Sequence, residues 1–580
     1  MKFEKLLLIL GEFGRYQKRN LALICLAAIP CAFYTLANTF LSASSDHYCQ
    51  VLYDQTYTDN SMLKNCTIPY EVDDDGHIEW SKCERFNITT YDQDACASNQ
   101  YDTMECDNGW VYDTGTYEST VVHESKLQCS HFKFDLVCDK DWLKQMSKTI
   151  VYLGKLVGAL VFGQLADRIG RKPVFVFSII FGIIVGVLTA FSPTYAAFAV
   201  GQFFIGMTTS GMYIVGFVIC MELVGKSKRT FAGTMVFTFF AIGYILLALI
   251  AFLLDGHWRK LQFTISVLGL PLLSYYWLVP ESIRWLIQHG KYDKADHVLR
   301  KAAKINKVTL PKNIFEEQKL ELDRKANLEE LETETPRKYT MLDLMKTPRL
   351  AGRTLNICFN MFVVILVYLG ISTNTDGLAK NAYIGFLVSG AVELPAYAIC
   401  YVLLDRIGRR ILLCTFMLLG GTALIACGPM VDDDSLQWVV TTLAFFGKFC
   451  IAGSYLVIYI WATELFPTPV RNAGLGVASM WGRVGGILSP YVVLLGEYVW
   501  LPLPVLIFGG LTIIAGLLAW FLPETLHREL PETLADGEAF SRKPKENGED
   551  SIGITNIGIQ VDLDDIYSES TTNQIKESQT

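Results

Sequence analysis

Charged residues are scarce in this sequence of 580 residues: 19% are Asp, Glu, Lys or Arg, whereas 51% are hydrophobic. Soluble proteins usually contain about 25% charged residues. The apolar residues also form long uncharged runs, such as VFVFSIIFGIIVGVLTAF at residues 174–191. The apolar core of a bilayer is about 30 Å thick and needs about 20 helical residues to cross. The composition therefore excludes a soluble globular protein and predicts several membrane spans.

Other signatures are missing as well. The net charge is −8 and no basic stripe is present, so we expect no nucleic-acid partner. Residues 1–20 lack a small-residue cleavage site, which predicts a cytosolic lead-in rather than a signal peptide. Gly225-Lys226-Ser227 resembles the end of a phosphate-binding loop, but Cys220 stands where its first glycine is required. No histidine pair in a span has the spacing of metal ligands, so we expect neither an enzyme nor a metal or cofactor site.

Twelve apolar segments are long enough for helical spans. Their approximate cores are residues 20–42, 143–166, 172–192, 196–221, 230–254, 258–279, 351–372, 382–404, 410–430, 437–462, 473–498 and 502–522. The sequence therefore predicts an all-α membrane protein with twelve transmembrane helices, and the polar segment 43–141 predicts a large loop between helices 1 and 2.

Basic residues are unevenly distributed among the short loops. They follow helices 2, 4, 8 and 10, whereas the alternate loops SPT, NTDGLAKN and VDDDS are poor in basic residues or acidic. Because Lys and Arg remain in the cytosol, we expect both termini to be cytosolic and residues 43–141 to be extracellular. The basic loop residues are Arg168, Arg171, Lys172, Lys226, Lys228, Arg229, Arg406, Arg409, Arg410 and Arg471.

The predicted extracellular loop is rich in cysteine. Clustered cysteines in a polar loop predict disulfides in an oxidising compartment; zinc binding is the alternative, although no paired CxxC spacing supports it. The disulfide candidates are Cys49, Cys66, Cys83, Cys96, Cys106, Cys129 and Cys138. Two glycosylation sequons, at Asn65 and Asn87, lie in the same loop.

The remaining polar segments divide the chain into domains. Residues 1–19 are predicted to be a cytosolic N-terminus. Residues 280–350 are predicted to be a cytosolic linker with helices, because HGKYDKADHVLRKAAKINK has helical periodicity. Residues 523–580 are predicted to be a cytosolic tail, mostly disordered. Two bundles of six helices would then occupy residues 20–279 and 351–522.

An internal repeat relates the two bundles. Three features recur in the same order at an offset of about 240 residues, which predicts a duplicated six-helix unit. They are DRIGRKP (167–173) with DRIGRR (405–410), Glu222 and Arg229 with Glu464 and Arg471, and PESIRW (280–285) with PETLHR (523–528). Parallel repeats of this kind place a binding site between the bundles, near the bilayer midplane.

The charged residues of the repeat predict a conformational latch. Arginines after helices 2 and 8 can pair with carboxylates at the ends of helices 4 and 10, and such networks can hold one of two conformations. Membrane anchoring by the positive residues alone is the alternative. The latch candidates are Asp167, Arg168, Arg171, Glu222, Arg229, Asp405, Arg409, Glu464 and Arg471.

Three charged residues lie near the middle of predicted spans, where ionised side chains are costly and usually functional. Arg483 lies 12 residues after Arg471, and Glu393 and Lys155 lie at similar depth. The Arg483 guanidinium can hold a substrate carboxylate in a bidentate grip; a structural pair with Glu393 is the alternative. Lys155 is either a cavity charge or part of an interhelical pair. Lys448 is expected farther out, where its amine could reach the interface.

Aromatic residues are candidates for the rest of a cavity wall, because a quaternary ammonium is attracted to aromatic faces. Packing within the membrane is the alternative for each. The candidates are Tyr213, Phe239, Phe240, Tyr244, Tyr368, Tyr455 and Tyr459.

Several motifs together resemble the major facilitator superfamily and, within it, the organic cation, carnitine and organic anion transporter family (solute carrier family 22 type). They are the cysteine-bearing loop, GQLADRIGRKPVF, PESIRWLIQHGKYDKA, ELFPTPVRNAGLGV and FLPETLHRELPETL. The resemblance covers residues from about 20 to 535. Sugar porters share the DRxGRR and PESxR patterns but typically lack the long loop. Ile283 departs from the PESPRW of many family members.

The resemblance implies roles for several residues. Arg483 stands at a position that is often Asp in cation carriers and Arg in carnitine or anion carriers, which favours a zwitterion or an anion over a simple cation. Glu393 resembles the helix-eight glutamate of the family, a candidate for holding a substrate amine or a coupling ion. Tyr368 and Tyr455 match substrate-lining positions, whereas Met361 stands where relatives carry Trp.

We therefore expect a multi-pass plasma-membrane protein with the major facilitator fold, whose partners are a small organic substrate and the lipid membrane. The expected function is transport by alternating access, with organic cations or zwitterions such as carnitine-like compounds as substrates. An organic anion exchanger is the alternative; a sugar porter or a non-transporting receptor is less expected. The sequence leaves open the exact substrate, the oligomeric state and a coupling ion, sodium or proton.

Overall fold

Twelve long helices form the membrane-spanning part of the protein within the residues that the structure describes. The computed structural model describes residues 3–50, 67–72, 78–87, 102–123, 135–311, 314–315, 344–374, 381–431, 434–467, 470–526, 528, 531, 537–538 and 540. The helices are α1 (Arg15–Leu36), α2 (Asp141–Ile169), α3 (Arg171–Ala190), α4 (Tyr195–Leu223), α5 (Arg229–Leu253), α6 (Trp258–Leu278), α7 (Pro348–Thr373), α8 (Ala382–Ile407), α9 (Arg409–Cys427), α10 (Gln437–Leu465), α11 (Arg471–Tyr498) and α12 (Leu503–Ala519).

The prediction of an all-α membrane protein is confirmed. Within the described residues, ten helices are long and apolar enough to cross a membrane on those criteria alone. The other two are α12, which has 17 residues, and α11, which has 28 residues and contains Arg471 and Arg483. A turn of 3₁₀-helix at Leu270–Ser274, which includes Pro271, interrupts α6, because proline cannot donate a hydrogen bond within a helix.

The helices pack as two bundles, α1 to α6 and α7 to α12. The bundles meet where α5 contacts α8 and where α2 contacts α11. Small residues permit the closest packing within a bundle. A Cβ atom on Gly154 of α2 would lie 2.0 Å from the Phe203 carbonyl oxygen, and one on Gly206 of α4 would lie 2.1 Å from that of Val151.

Two glycines repeat the same backbone turn in the two bundles. Gly170 lies between α2 and α3 with φ +122°, and Gly408 lies between α8 and α9 with φ +97°. Glycine populates this region of φ without the steric cost that a Cβ imposes. The turn lets each charged repeat motif pass directly from one helix into the next.

The described part of the segment between α1 and α2 contains three two-stranded antiparallel ribbons. They pair β1 (His47–Cys49) with β6 (Trp110–Tyr112), β2 (Tyr70–Val72) with β3 (Ile78–Trp80), and β4 (Glu84–Phe86) with β5 (Thr103–Glu105). Disulfides join Cys49 to Cys106 and Cys83 to Cys138, which confirms the prediction of disulfides for these four cysteines. Cys66, Cys96, Cys129 and Asn65 lie outside the described residues, and Asn87 is exposed.

The predicted surface helix of the linker is present at Tyr292–Asn306. Its buried face includes Leu299 and Ala302, which pack with Leu6 and Leu10 of a short helix at Phe3–Leu10. The Asn306 side chain accepts a hydrogen bond from the backbone N–H of Tyr16 at 2.8 Å. The linker helix therefore contacts both the short N-terminal helix and α1.

Candidate functional site

A central cavity lies between the two bundles; the space within it that protein atoms do not occupy is about 780 Å³, part of which is open to solvent. Helices from both bundles contribute to its wall, which combines aromatic rings, hydroxyls and two cationic side chains. The wall residues are Cys31, Thr35, Tyr152, Lys155, Thr209, Ser210, Tyr213, Phe237, Phe240, Ile365, Tyr368, Leu369, Tyr397, Tyr455, Tyr459, Ser479 and Arg483. No carboxylate is among the described residues of this wall.

Arg483 of α11 is half-buried and lines the cavity. One of its terminal nitrogens donates to the Ser479 carbonyl oxygen at 2.8 Å and to the Ser479 hydroxyl at 2.6 Å. No ion pair joins it to a carboxylate in the part of the chain that the structure describes. A guanidinium carries five N–H donors, so donors remain for a carboxylate that enters the cavity.

Lys155 of α2 is the second cation of the cavity wall. Its Nζ donates to the Thr35 hydroxyl at 2.9 Å and lies 4.6 Å from the centroid of the Tyr152 ring. The Ser210 hydroxyl donates to the Lys155 carbonyl oxygen at 2.7 Å, which joins α4 to α2 at this level. Lys155 is thus both a cavity charge and a partner of α1, and its interhelical partner is a neutral hydroxyl.

Glu393 and Lys448 form a fully buried ion pair behind the cavity wall. Their side chains are 0% exposed, and Lys448 Nζ lies 2.9 Å from Glu393 Oε1. The expectation that Lys448 lies nearer the interface is therefore wrong, because its carboxylate partner holds it within the bundle. Glu393 is taken up by this pair, so the alternative of a structural pair between Arg483 and Glu393 is not what the structure contains.

Five of the seven predicted aromatic residues line the cavity, one of which is Tyr459, and two do not. Tyr213, Phe240, Tyr368 and Tyr455 belong to the wall. Tyr244 is fully buried and donates to the Ser372 carbonyl oxygen and the Ser389 hydroxyl, each at 3.1 Å. Phe239 is half-buried and packs against the hydrophobic core of the first bundle. Met361 is fully buried and is not a wall residue.

Sequence reasoning missed three aromatic wall residues, Tyr152, Phe237 and Tyr397. The Phe237 ring centroid lies 5.3 Å from that of Tyr455 and 5.8 Å from that of Tyr397, so this ring joins α5 to the second bundle. Helical residues three or four positions apart share a face. Tyr152 precedes Lys155 by three, Phe237 precedes Phe240 by three and Tyr397 follows Glu393 by four. This spacing was the signal that could have found them.

The latch candidates of the first bundle form a compact charge network. Arg171 pairs with Asp167 one turn earlier, and its Nη2 lies 3.7 Å from Glu222 Oε1. Glu281 accepts backbone hydrogen bonds from Arg171 at 3.0 Å and from Lys172 at 3.1 Å. A carboxylate is favoured there, because the first N–H groups of α3 have no partner within the helix.

The second bundle repeats the same network. Arg409 lies 3.1 Å from Asp405 and 3.1 Å from Glu464. Glu524 accepts backbone hydrogen bonds from Arg409 at 3.0 Å and from Arg410 at 2.9 Å. Burial by itself raises the pKa of Glu524, but the backbone hydrogen bonds that it accepts outweigh burial and hold the pKa below its usual value.

The other basic latch candidates lie at the ends of helices. Arg168 is exposed at the end of α2. Arg229 begins α5, and Arg471 begins α11 and donates to the Phe466 carbonyl oxygen at 3.2 Å. In each bundle, the arginine that follows the glycine turn lies beside the glutamate at the end of the fourth helix of that bundle.

Comparison with known proteins identifies relatives over most of the chain. Residues 105–535 match the family described as sugar (and other) transporter. The chain is 40% identical to the organic cation transporter protein of Drosophila melanogaster, over 94% of this chain and 96% of that protein. It is 31% identical to organic cation/carnitine transporter 2 of Homo sapiens, over 92% of this chain and 93% of that protein.

A similar fold is found among solved structures. The proton:xylose symporter XylE, a major facilitator superfamily protein bound to 6-bromo-6-deoxy-D-glucose, aligns with a TM-score of 0.58 and 17% identity. The alignment covers 90% of this chain and 99% of that protein. At this identity the likeness establishes the fold alone, which agrees with two bundles of six helices around a central cavity.

Proposed function

We propose that this chain, which belongs to the sugar (and other) transporter family and within it to solute carrier family 22, transports organic cations or zwitterions, with carnitine-like zwitterions as the best fit. One observation carries the proposal: Arg483 faces the central cavity without a carboxylate partner among the described residues. An uncompensated charge inside a membrane is costly, and a substrate carboxylate would neutralise it.

The positive end of such a substrate would lie against aromatic rings. The described cavity wall offers no carboxylate for a cation, but it presents Tyr213, Phe240 and Tyr455. A cation over an aromatic face gains about 0.5–1 kcal/mol at an exposed site and about 2 kcal/mol when desolvated. A zwitterion with a carboxylate and a quaternary ammonium therefore complements both features, whereas a simple cation would approach Arg483 and Lys155 without compensation.

The names of the relatives support this substrate class. The relatives compared above are named an organic cation transporter and an organic cation/carnitine transporter, and both align over nearly their full length. The likeness to a xylose symporter extends to the fold only. The relatives therefore support a cation or zwitterion carrier more strongly than a sugar porter.

Alternating access would use the two charge networks as latches. Each network joins the end of one helix, the start of the next and the end of a third, through Arg171 in the first bundle and Arg409 in the second. Such a network stabilises one arrangement of the helix ends and is broken in the other. Both networks lie at the end of the bundles opposite the disulfide-bonded ribbons.

The basic short loops and the disulfides support a plasma-membrane location with both termini in the cytosol. The short loops that carry Arg and Lys define one side of the membrane, and the disulfides Cys49–Cys106 and Cys83–Cys138 lie on the other. Disulfides persist in an oxidising compartment. An epitope tag at the C-terminus that antibody reaches only after permeabilisation of the cell would support this orientation, and one reached on intact cells would contradict it.

Uptake measurements in one cell line test the substrate class. We expect radiolabelled carnitine to accumulate above the untransfected control, and tetraethylammonium and benzoate to accumulate more slowly. Arg483→Gln should raise the KM for carnitine by about 10- to 100-fold, because one charge-assisted contact is lost. Arg483→Lys, which keeps the charge but not the bidentate geometry, is the matched control and should have an intermediate effect. Normal carnitine uptake by Arg483→Gln at equal surface expression would refute the proposal.

An organic anion exchanger is the second candidate, and Lys155 favours it. Lys155 and Arg483 give the described cavity wall two cations, which would suit an organic anion without a positive group. Exchange is recognised when a preloaded internal substrate accelerates uptake. Benzoate uptake that exceeds carnitine uptake, and that internal benzoate accelerates, would favour this candidate over the first.

A further inference from the structure

Glu393 of α8 and Lys448 of α10 lie one layer behind the cavity wall. Both side chains are 0% exposed, and neither is among the wall residues. Their nearest charged atoms are 2.9 Å apart, so each is the counter-ion of the other. Glu393 therefore has no charge left unpaired toward the cavity.

Each partner of this pair contacts a tyrosine that does face the cavity. The Tyr397 hydroxyl donates to Glu393 Oε2 at 3.0 Å. Lys448 Nζ lies 3.4 Å from the centroid of the Tyr368 ring. Tyr368 in turn packs on Tyr455, with 5.4 Å between ring centroids. The pair thus supports three rings of the cavity wall from behind.

The groups around Lys448 are those that a substrate cation would need. Its Nζ also donates to the Ser372 hydroxyl and lies 5.5 Å from the Tyr244 ring centroid. A carboxylate, a hydroxyl and two aromatic faces are the groups that would bind a substrate ammonium. The lysine side chain already occupies this place.

We propose that Glu393 and Lys448 are positioning residues, which hold Tyr397 and Tyr368 in the cavity wall and do not touch the substrate. This inference rests on the proposed transport of a carboxylate-bearing zwitterion and assigns its ammonium to the aromatic rings rather than to Glu393. Removal of one partner leaves an uncompensated buried charge, whereas removal of both leaves none. Single and double neutral variants should therefore behave differently.

Transport by Glu393→Gln, Lys448→Met and the double variant tests the pairing. At equal surface expression, each single variant should lose about tenfold or more in carnitine kcat/KM. The double variant should recover part of this loss because no buried charge is left unpaired, but it should stay about threefold or more below the unaltered protein because the contacts to Tyr397 and Tyr368 are lost. Lys448→Arg, which keeps the charge, should retain more activity than Lys448→Met. A double variant no better than Glu393→Gln would overturn the proposal, because a carboxylate that binds substrate cannot be rescued by removal of its neighbour.

A neutral isostere of carnitine separates positioning from contact. In 3-hydroxy-5,5-dimethylhexanoate a carbon replaces the ammonium nitrogen, so the carboxylate end and the shape are retained. A positioning role predicts that Glu393→Gln raises the inhibition constant of the isostere as well as the KM for carnitine, because the displaced rings contact both molecules. Direct contact predicts a loss confined to carnitine, of about tenfold or more, and that result would overturn the inference.

Tyr397→Phe supplies the third arm of the test. It removes only the hydroxyl that donates to Glu393, so its effect should vanish in the Glu393→Gln background, as a double-mutant cycle detects. Fully additive losses would contradict the positioning role. The unaltered protein serves as the reference throughout. If it does not transport carnitine, the proposed function fails, whereas carnitine uptake with an isostere inhibition constant that Glu393→Gln leaves unchanged defeats only this inference.

Discussion

The ring of Tyr383, at the start of α8, stacks on the ring of Phe40 beyond the end of α1, with 5.5 Å between centroids and 13° between planes. The Tyr383 hydroxyl donates to the Thr116 carbonyl oxygen at 3.3 Å. Tyr117 and Phe252 contact the same ring, at 5.7 and 5.8 Å. A residue of the second bundle thus closes against three segments of the first on the side of the disulfide-bonded ribbons.

Loss of this ring should open the cavity to the ribbon side. Each aromatic contact contributes about 1 kcal/mol beyond burial. Loss of the contacts with Phe40, Tyr117 and Phe252 should therefore raise the accessibility of the cavity by on the order of 100-fold. Cys31 of the cavity wall is a free cysteine that reports it. We expect an impermeant thiol reagent outside the cell to inactivate Tyr383→Ala faster than the unaltered protein.

The control for this prediction is Tyr383→Phe, which keeps the rings and removes only the hydroxyl. Its rate of inactivation should stay within about twofold of the unaltered protein. Cys31→Ser should abolish the acceleration in the Tyr383→Ala background. Equal rates for the Ala variant and the unaltered protein would show that Tyr383 does not close this side.

The fold could be predicted from the sequence because its main signals are local. Uncharged runs predict the helices, and the glycine turns at Gly170 and Gly408 lie within the two copies of the repeated DRIGR motif. The partner of Glu393 could not be predicted, because it depends on how α8 and α10 are rotated against each other over 55 residues of sequence separation. Seven loop cysteines allow many pairings, so Cys49–Cys106 and Cys83–Cys138 also required the structure.

Gly485 should be needed to place Arg483, two residues before it on α11. A Cβ atom at Gly485 would lie 2.4 Å from the carbonyl oxygen of Phe362 on α7, and backbone cannot move aside as a flexible side chain can. Gly485→Ala should therefore displace α11 and lower carnitine kcat/KM by about 10- to 100-fold, as misplacement of a binding group does. Gly476→Ala on the same helix meets nothing within 4 Å and is the matched control. Equal uptake by the two variants would contradict the argument.

The charge network of the second bundle gives a prediction with an internal control. Arg409 pairs with Asp405 and Glu464, and its side chain is 9% exposed. Arg409→Ala leaves the largely buried Glu464 without its cationic partner, which costs about 3–5 kcal/mol for a buried pair. We expect a loss of transport of about tenfold or more. Arg406→Ala, three residues earlier and exposed, should change uptake by less than about twofold. Similar losses in both variants would favour simple membrane anchoring by positive residues.

His123 should make the stability of the segment between α1 and α2 depend on pH. Burial lowers the pKa of His123 to about 4. Its Nε2 lies 3.3 Å from the Tyr117 carbonyl oxygen and its Nδ1 lies 3.1 Å from the Thr120 hydroxyl, an arrangement that suits a neutral ring. An unfolded histidine has a pKa of about 6.5, so the unfolded state binds more protons between these values. Stability should be complete above pH about 6.5 and decrease as pH falls toward 4, by on the order of 3 kcal/mol.

Thermal unfolding of the purified protein at pH 7.5, 5.5 and 4.5 measures this effect. His123→Gln removes the buried ring and its contacts, so it should lower the unfolding temperature at pH 7.5. Because glutamine cannot take up the proton, the further decrease on acidification should be smaller than in the unaltered protein. His297→Gln is the control, because His297 is exposed on the Tyr292–Asn306 helix and its replacement removes a histidine without removing a buried one. Each variant lacks one histidine, so a difference in pH dependence between them reports the position of the histidine and not the number of histidines. If both follow the unaltered protein from pH 7.5 to 4.5, protonation of His123 does not limit stability, and carboxylates elsewhere would have to account for any acid unfolding.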